Sequence, residues 1–207
     1  CKAPKRLRLY GCDPERMHNR PLSLGSHPYN LSLFGALHEH MGAGATEQWL
    51  KGLVANMARS PKGGDSDQIK SVASGECAVA VTNTYYLARM MRSANSTERN
   101  MADSVGVVFP NQNSWGTHVN VAGAAVAKHS KNTAAAVKFL EYLASPAAQN
   151  HFANGNNEWP VVKGLKFDNP ALKAMSGGDF KSEVIPISAV GMNQIKIQQM
   201  LDRVGFK

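Results

Sequence analysis

Cys77-Ala78-Val79-Ala80-Val81-Thr82-Asn83-Thr84-Tyr85-Tyr86 is the stretch on which the fold turns. Residues 77–82 form an unbroken run of small, mostly apolar side chains, the pattern of a strand covered on both faces. Leu87, Met90 and Met91 follow at helical spacing, so the segment reads as a strand running into a helix. The same alternation recurs on both sides. Leu31, Phe34, Leu37 and Met41 predict a helix from Asn30 to Met41, which Gly42 and Gly44 stop. Thr46 is placed to cap a second helix reaching about Ala58, with Trp49, Leu50, Leu53, Val54 and Met57 on its apolar face. Asp65 or Ser66 caps a short helix carrying Ile69 and Val72. Val105 to Phe109 reads as another buried strand.

Beyond the polar, turn-rich stretch Asn111 to Gly116, residues 119–127 read as a strand in a new context. Asn132 to Leu143 is an amphipathic helix, and Pro146 opens a further one. Residues 159–162 predict a short strand, 164–178 mostly linker, and 188–204 a last helix. Strands alternating with helices indicate an α/β architecture with a mostly parallel sheet.

Composition fits a packed domain: 43% of the 207 residues are hydrophobic and 18% charged. The net charge of +8 favours anionic partners in general, but the basic residues are scattered apart from Lys2, Lys5, Arg6 and Arg8. With no arginine-rich helix, zinc-finger spacing or ribonucleoprotein motif, nucleic-acid binding is not expected. The 3 cysteines are too few for a disulfide framework. Cys77 reads as a small buried hydrophobe, and Cys1 and Cys12 could pair in an oxidising compartment. Cys1 also stands where a processed lipoprotein carries its lipid. No stretch is long and apolar enough to cross a bilayer. Lacking a signal peptide and an initiator Met, the chain reads as a processed product or a piece of something longer.

No Ser/His/Asp order or Cys/His pairing has supporting local sequence, so nucleophilic catalysis is not expected. His38-Glu39-His40 places two histidines two residues apart, facing different directions on a helix, which reads as a solvated helix face. Gly63-Gly64-Asp65-Ser66 lacks the core of a phosphate loop and reads as a turn plus cap.

Tyr85 and Tyr86, together with Tyr29 in Ser26-His27-Pro28-Tyr29-Asn30, lie where extended chain enters a helix. Such phenols either pack as an aromatic pair whose hydroxyls find hydrogen bonds, or serve as oxygen ligands. A hard, highly charged cation favours anionic oxygen and reverses the preference of tyrosine for its proton. Three phenolates would balance a trivalent ion. The turn at a strand–helix junction is what lets adjacent tyrosines converge, and the helix N-terminus suits anions.

The surrounding residues resemble one family. Ser26-His27-Pro28-Tyr29-Asn30-Leu31-Ser32-Leu33, Trp49-Leu50-Lys51-Gly52, Asn83-Thr84-Tyr85-Tyr86, Phe109-Pro110-Asn111-Gln112, Gly116-Thr117-His118-Val119-Asn120 and Leu201-Asp202-Arg203-Val204-Gly205-Phe206-Lys207 resemble, in order, the substrate-binding proteins of bacterial ferric-iron ABC transporters. The resemblance implies a periplasmic-binding-protein-like α/β fold, with one near-complete lobe and a partial second one. Residues 1–115 and 166–207 would form the lobe that carries the tyrosines, and 116–165 a segment returning to the other lobe. It implies Fe(III) bound by Tyr29, Tyr85 and Tyr86, with Asn83 and His27 as neighbouring candidates for an anion or an outer contact. A synergistic anion such as carbonate would share the site. His118 would make a structural hydrogen bond near the hinge.

The implied partner is an ABC permease, and the implied location is the periplasm, free or lipid-anchored. The same scaffold holding an oxyanion or organic ligand, and a truncated product without a transport role, are the alternatives. Family members carry much of the first lobe ahead of the region matching residue 1, so a missing first-lobe segment is expected to complete the site. Without it, the surface from Val119 to Leu143 is expected to expose apolar side chains.

Overall fold

Pro28 starts the longest helix, because its ring presets φ and a first-turn residue needs no N–H. A computed structural model of the chain describes residues 27–57, 60, 62–177 and 179–206; Cys1, Cys12 and the basic cluster from Lys2 to Arg8 lie outside them. Helix α1 spans Pro28–Ala55 with a kink at Gly42, where φ is 76° and ψ 169°. The two helices expected from the sequence are therefore joined across one residue whose backbone glycine adopts without strain. Thr46 does not cap. It is buried, and its hydroxyl donates to the Gly42 carbonyl at 2.8 Å, satisfying an acceptor that the kink leaves outside the regular helical pattern.

Both halves of α1 contribute to one core. Phe34, Leu37, Leu50 and Leu53 pack against Ile197, Met200, Leu201 and Phe206. Three of these partners come from helix α8, Ile187–Val204. Gly35 lies at a close contact between the helices, where a Cβ would meet Val190 Cγ1 at 3.2 Å. Arg203 adds an ion pair across the seam, 2.8 Å from Glu47.

A second cluster gathers Ile69, Leu87, Met90 and Ala102. Helices α2 (Asp65–Ala73), α3 (Thr84–Met91) and α4 (Ser96–Ser104) supply them. Helix α4 is not evident from apolar spacing, having Ala102 as its one buried residue, and is announced instead by its cap: Asn95 Oδ1 accepts from Thr97 N at 2.9 Å. The cap of α2 is Gly64 rather than Asp65 or Ser66, and Asp67 Oδ2 accepts from Gly64 N at 2.9 Å. Asp65 is thereby released for another role.

The stretch expected to be mostly linker holds helix α7, Pro170–Ser176. Seven residues with only Ala171 and Leu172 buried are too short to show a period. Asn169 organises this region. Its Oδ1 accepts from Ala171 N at 3.0 Å and Leu172 N at 3.2 Å. Its Nδ2 donates to Ala153 O at 2.8 Å and to Asn157 Oδ1 at 2.9 Å. Arg92, at the end of α3, also donates to Asn157 Oδ1, at 2.5 Å. Residues 153–157, within the expected returning segment, thus lie against the tyrosine-bearing elements. Because Asn169 is 1% exposed, Asn169→Ala strands several buried polar groups at once. It is expected to lower unfolding stability by about 2–4 kcal/mol, measured by urea denaturation.

Helices α5 (Thr133–Leu143) and α6 (Pro146–His151) follow the sequence expectation, and α6 continues into one π turn, Phe152–Asn156. Helix α5 buries none of its residues, and Phe139 and Tyr142 stand 59% and 56% exposed. The apolar surface expected between Val119 and Leu143 is present.

The parallel sheet is not formed among the described residues. Their β pairing is one parallel bridge, Thr117 with Ser182. Residues 77–82 and 105–109 pass between helices without a ladder, with Val81 set against the first core and Val105 and Val107 against the second. Of these two runs only Cys77 is buried, while Ala78 and Gly106 are exposed and the rest half-buried; cover on both faces requires neighbouring strands about 4.8 Å away. Cys77 is buried, as expected.

Candidate metal centre

Two helix starts meet at the site. His27 caps α1, its Nδ1 accepting from Tyr29 N at 3.3 Å. Asn83 is the cap residue of α3. Tyr29 and Tyr85 each follow their cap by two residues, so both phenols lie in first turns, at the positive end of a helix dipole. Their hydroxyls are 2.7 Å apart, although the residues are 56 positions apart in sequence. The Tyr86 ring packs on the Tyr85 ring with centroids 4.2 Å apart and planes tilted by 32°. All three tyrosines are half-buried. The structure therefore brings together the three phenols singled out from sequence.

The Tyr85 and Tyr86 phenols are both held toward their neutral form. Burial, reinforced by hydrogen bonding to Tyr29 and Tyr86, holds the Tyr85 phenol far above its ordinary range. At Tyr86, hydrogen bonding to Tyr85 favours the phenolate, but burial, Tyr29 and the charge of Asp65 outweigh it, and the net shift is upward. Phenols held this firmly neutral ionise only if a cation supplies a larger opposing field.

The flanking candidates have partners of their own. The His27 ring rests 4.2 Å from that of Tyr29. Asn83 donates from its backbone N and from Nδ2 to Asp65 Oδ2, at 3.2 and 2.9 Å. Asp65 is the residue that sequence reading placed only as a helix cap. It is 4% exposed, anchors the turn before Tyr85, and adds a negative charge close enough to act on Tyr86. No local motif announces this role, since it depends on contact between α2 and the turn before α3. Arg89 lies over the outer side of the Tyr86 ring, 5.4 Å from its centroid. Among the described residues no group of three or more His, Cys, Asp or Glu side chains could hold a metal.

Two further segments of chain run side by side in parallel at Thr117 and Ser182. Thr117 N donates to Lys181 O at 2.8 Å, and Glu183 N to Thr117 O at 2.9 Å. Gly116 (φ 101°) makes this close approach possible, because a Cβ there would lie 2.7 Å from the Ser182 carbonyl carbon. His118 hydrogen-bonds through Nδ1 to Glu183 Oε1 and through Nε2 to Ser32 Oγ, the latter at 3.1 Å. His40 corrects the sequence reading of a solvated helix face. It stacks on Trp115 with centroids 4.6 Å apart and reaches Glu183 Oε2 at 3.1 Å. Burial alone would raise the Glu183 pKa; hydrogen bonds and charge from His118 and His40 prevail and hold it below the ordinary carboxylate range.

The model of one protein family, described as bacterial extracellular solute-binding protein, matches residues 28–175. Iron uptake protein A2 of Synechocystis is 42% identical over 184 residues, which cover 88% of this chain and 52% of that protein. A Trichodesmium protein, IdiA (FutA), solved in complex with iron and citrate, superposes with a TM-score of 0.88 at 42% identity, over 94% of this chain and 61% of the other. The ferric binding protein of Campylobacter jejuni gives a TM-score of 0.87 at 34% identity over the same 94% and 61%. The chain thus spans about half the length of the Synechocystis protein. Family match, identity and superposition agree with a partial periplasmic-binding-protein fold: the chain belongs to the bacterial extracellular solute-binding proteins, which bind ligands rather than act as enzymes.

Proposed function

We propose that this chain carries the tyrosine-bearing part of a ferric-iron site, in a protein that delivers Fe(III) to an ABC permease from the periplasm. The 2.7 Å approach of the Tyr29 and Tyr85 hydroxyls carries the reading. A small hard cation bound octahedrally at about 2.0–2.1 Å sets neighbouring ligand oxygens about 2.9 Å apart. The two phenols are thus already spaced as an adjacent ligand pair, and Tyr86 stands beside them. Three phenolates neutralise Fe(III), and hard anionic oxygen is the donor type it prefers. The names of the relatives point the same way.

In the two-lobed arrangement of such a protein, residues 1–115 and 166–207 form the lobe with the tyrosines, and 116–165 lead into the other. Iron first held by the phenols gains its remaining ligands when the lobes close, a population shift toward the closed form. A synergistic anion such as carbonate occupies part of the sphere, near Asn83 and His27.

Titration with Fe(III)-citrate, followed through the phenolate-to-iron charge-transfer band, tests the proposal. The band is expected to appear, with weak affinity for this chain because water or exogenous anions complete the sphere. Each ligating phenol releases a proton, and Tyr85 and Tyr86 start with raised pKa values. Affinity at fixed free Fe(III) is therefore expected to rise with pH throughout the range below about 10, by up to about three protons' worth of slope. Absence of the band, or an affinity independent of pH, refutes phenolate ligation.

A further inference from the structure

We infer that Glu183 positions the Tyr29 hydroxyl, acting through His118 and Ser32. One buried carboxylate holds two points on the first half of α1. Oε2 takes His40, near the kink at Gly42. Oε1 takes His118, whose other ring nitrogen meets Ser32 Oγ at 3.1 Å. Ser32 and His40 are eight residues apart, about 12 Å along a helix axis, and the imidazole–carboxylate–imidazole chain bridges that distance. Glu183 is 9% exposed, and its backbone N is tied to Thr117 O at 2.9 Å. The brace therefore starts from a residue whose main chain is itself held.

Ser32 lies three residues after Tyr29, on the same helix face. The first turn of α1 has His27 Nδ1 as its side-chain cap, accepting from Tyr29 N at 3.3 Å, near the long limit for such a bond. The hydrogen bond at Ser32 is a second restraint on that turn. It comes from the segments paired in parallel at Thr117 and Ser182, so the placement of one phenol is linked to the placement of that pairing. The cavity beside the brace, about 80 Å³ and bordered by Ser32, His118, Asn120 and Glu183, leaves room for the side chains to shift once a link is removed.

The link to iron rests on the reading proposed above, and the experiment separates the two. The whole chain is prepared with a carbon-13 label on the hydroxyl-bearing ring carbon of its 5 tyrosines, and Tyr29→Phe assigns the key resonance. Ser32→Ala suits the test because alanine is the best helix former and touches none of the proposed ligands. In metal-free Ser32→Ala, the Tyr29 and Tyr85 resonances are expected to move while exposed Tyr142 stays, with the melting temperature unchanged. Ser32→Thr, which keeps the hydroxyl, is expected to restore them. Glu183→Gln is expected to move the same two resonances. With Fe(III)-citrate, Ser32→Ala is expected to bind about five- to tenfold more weakly than the parent chain.

Unmoved Tyr29 and Tyr85 resonances in Ser32→Ala overturn the positioning role whatever iron does. Moved resonances with unchanged iron affinity overturn its link to binding. Moved resonances in a chain that develops no iron band uphold the brace and reject the iron reading instead.

Discussion

Tyr85→Phe combined with Tyr86→Phe is expected to abolish the phenolate-to-iron band and to weaken Fe(III) binding by at least about a hundredfold. The estimate is conservative, because changing residues that merely support a metal ligand already costs about 10–100-fold in affinity, and here two anionic donors are lost. Phenylalanine keeps the ring packing, in which the Tyr85 and Tyr86 centroids are 4.2 Å apart. It also removes the hydroxyl that meets Tyr29 at 2.7 Å. The fold should persist, so circular dichroism and melting temperature close to the parent values are part of the expected result. Equilibrium titration with Fe(III)-citrate and the visible spectrum check it. Retention of the coloured complex by the double variant would place iron elsewhere. Loss of colour with retained binding of a citrate or carbonate anion would favour the alternative in which the scaffold takes an oxyanion or organic ligand.

Phe34→Ala is expected to destabilise the chain by about 3–5 kcal/mol, the range for deleting a buried aromatic side chain and leaving a cavity. Phe34 is fully buried. Its ring lies 5.6 Å from that of Phe206 and 6.1 Å from that of Trp49, so it touches both halves of α1 and the chain after α8. The α1–α8 seam is the largest core among the described residues. Urea denaturation is the measurement. A loss below about 1 kcal/mol, the scale of an ordinary surface change, would show that the seam does not hold the fold together. Since α1 carries Tyr29, iron binding should also weaken near the denaturation midpoint and recover when denaturant is withdrawn.

These two sites show how unevenly the chain discloses itself. The tyrosines are legible because their local setting is: a small apolar run, a cap and two phenols in a first turn. The apolar periods at Leu31, Phe34 and Leu37, at Trp49, Leu50 and Leu53, and in the last helix locate both sides of the main core, since burial of a helix face imposes the 3.6-residue period directly. Helices α4 and α7 escape for the same reason. Each buries at most two side chains, and caps at Asn95 and Asn169 define them instead. His40 reads as solvated from sequence because histidines two residues apart face different directions on a helix. Its real surroundings, Trp115 and Glu183, are 75 and 143 positions further along the chain.

What the residue order determined by itself is the set of helices with an apolar face, the placement of Tyr29 and Tyr85 beside helix starts, and the hard-oxygen character of the three phenols. These follow from local sterics, periodicity and donor chemistry, which operate over a few residues. Only the tertiary structure decided that α1 and α3 bring their first turns within hydrogen-bonding reach. It alone joined two helices through the kink at Gly42, left residues 77–82 and 105–109 without a ladder among the described residues, and set one carboxylate between two imidazoles. Each of these outcomes depends on contacts between residues far apart in the chain. Their closing entropy is met by burial of the core, a collective property that no local stretch encodes.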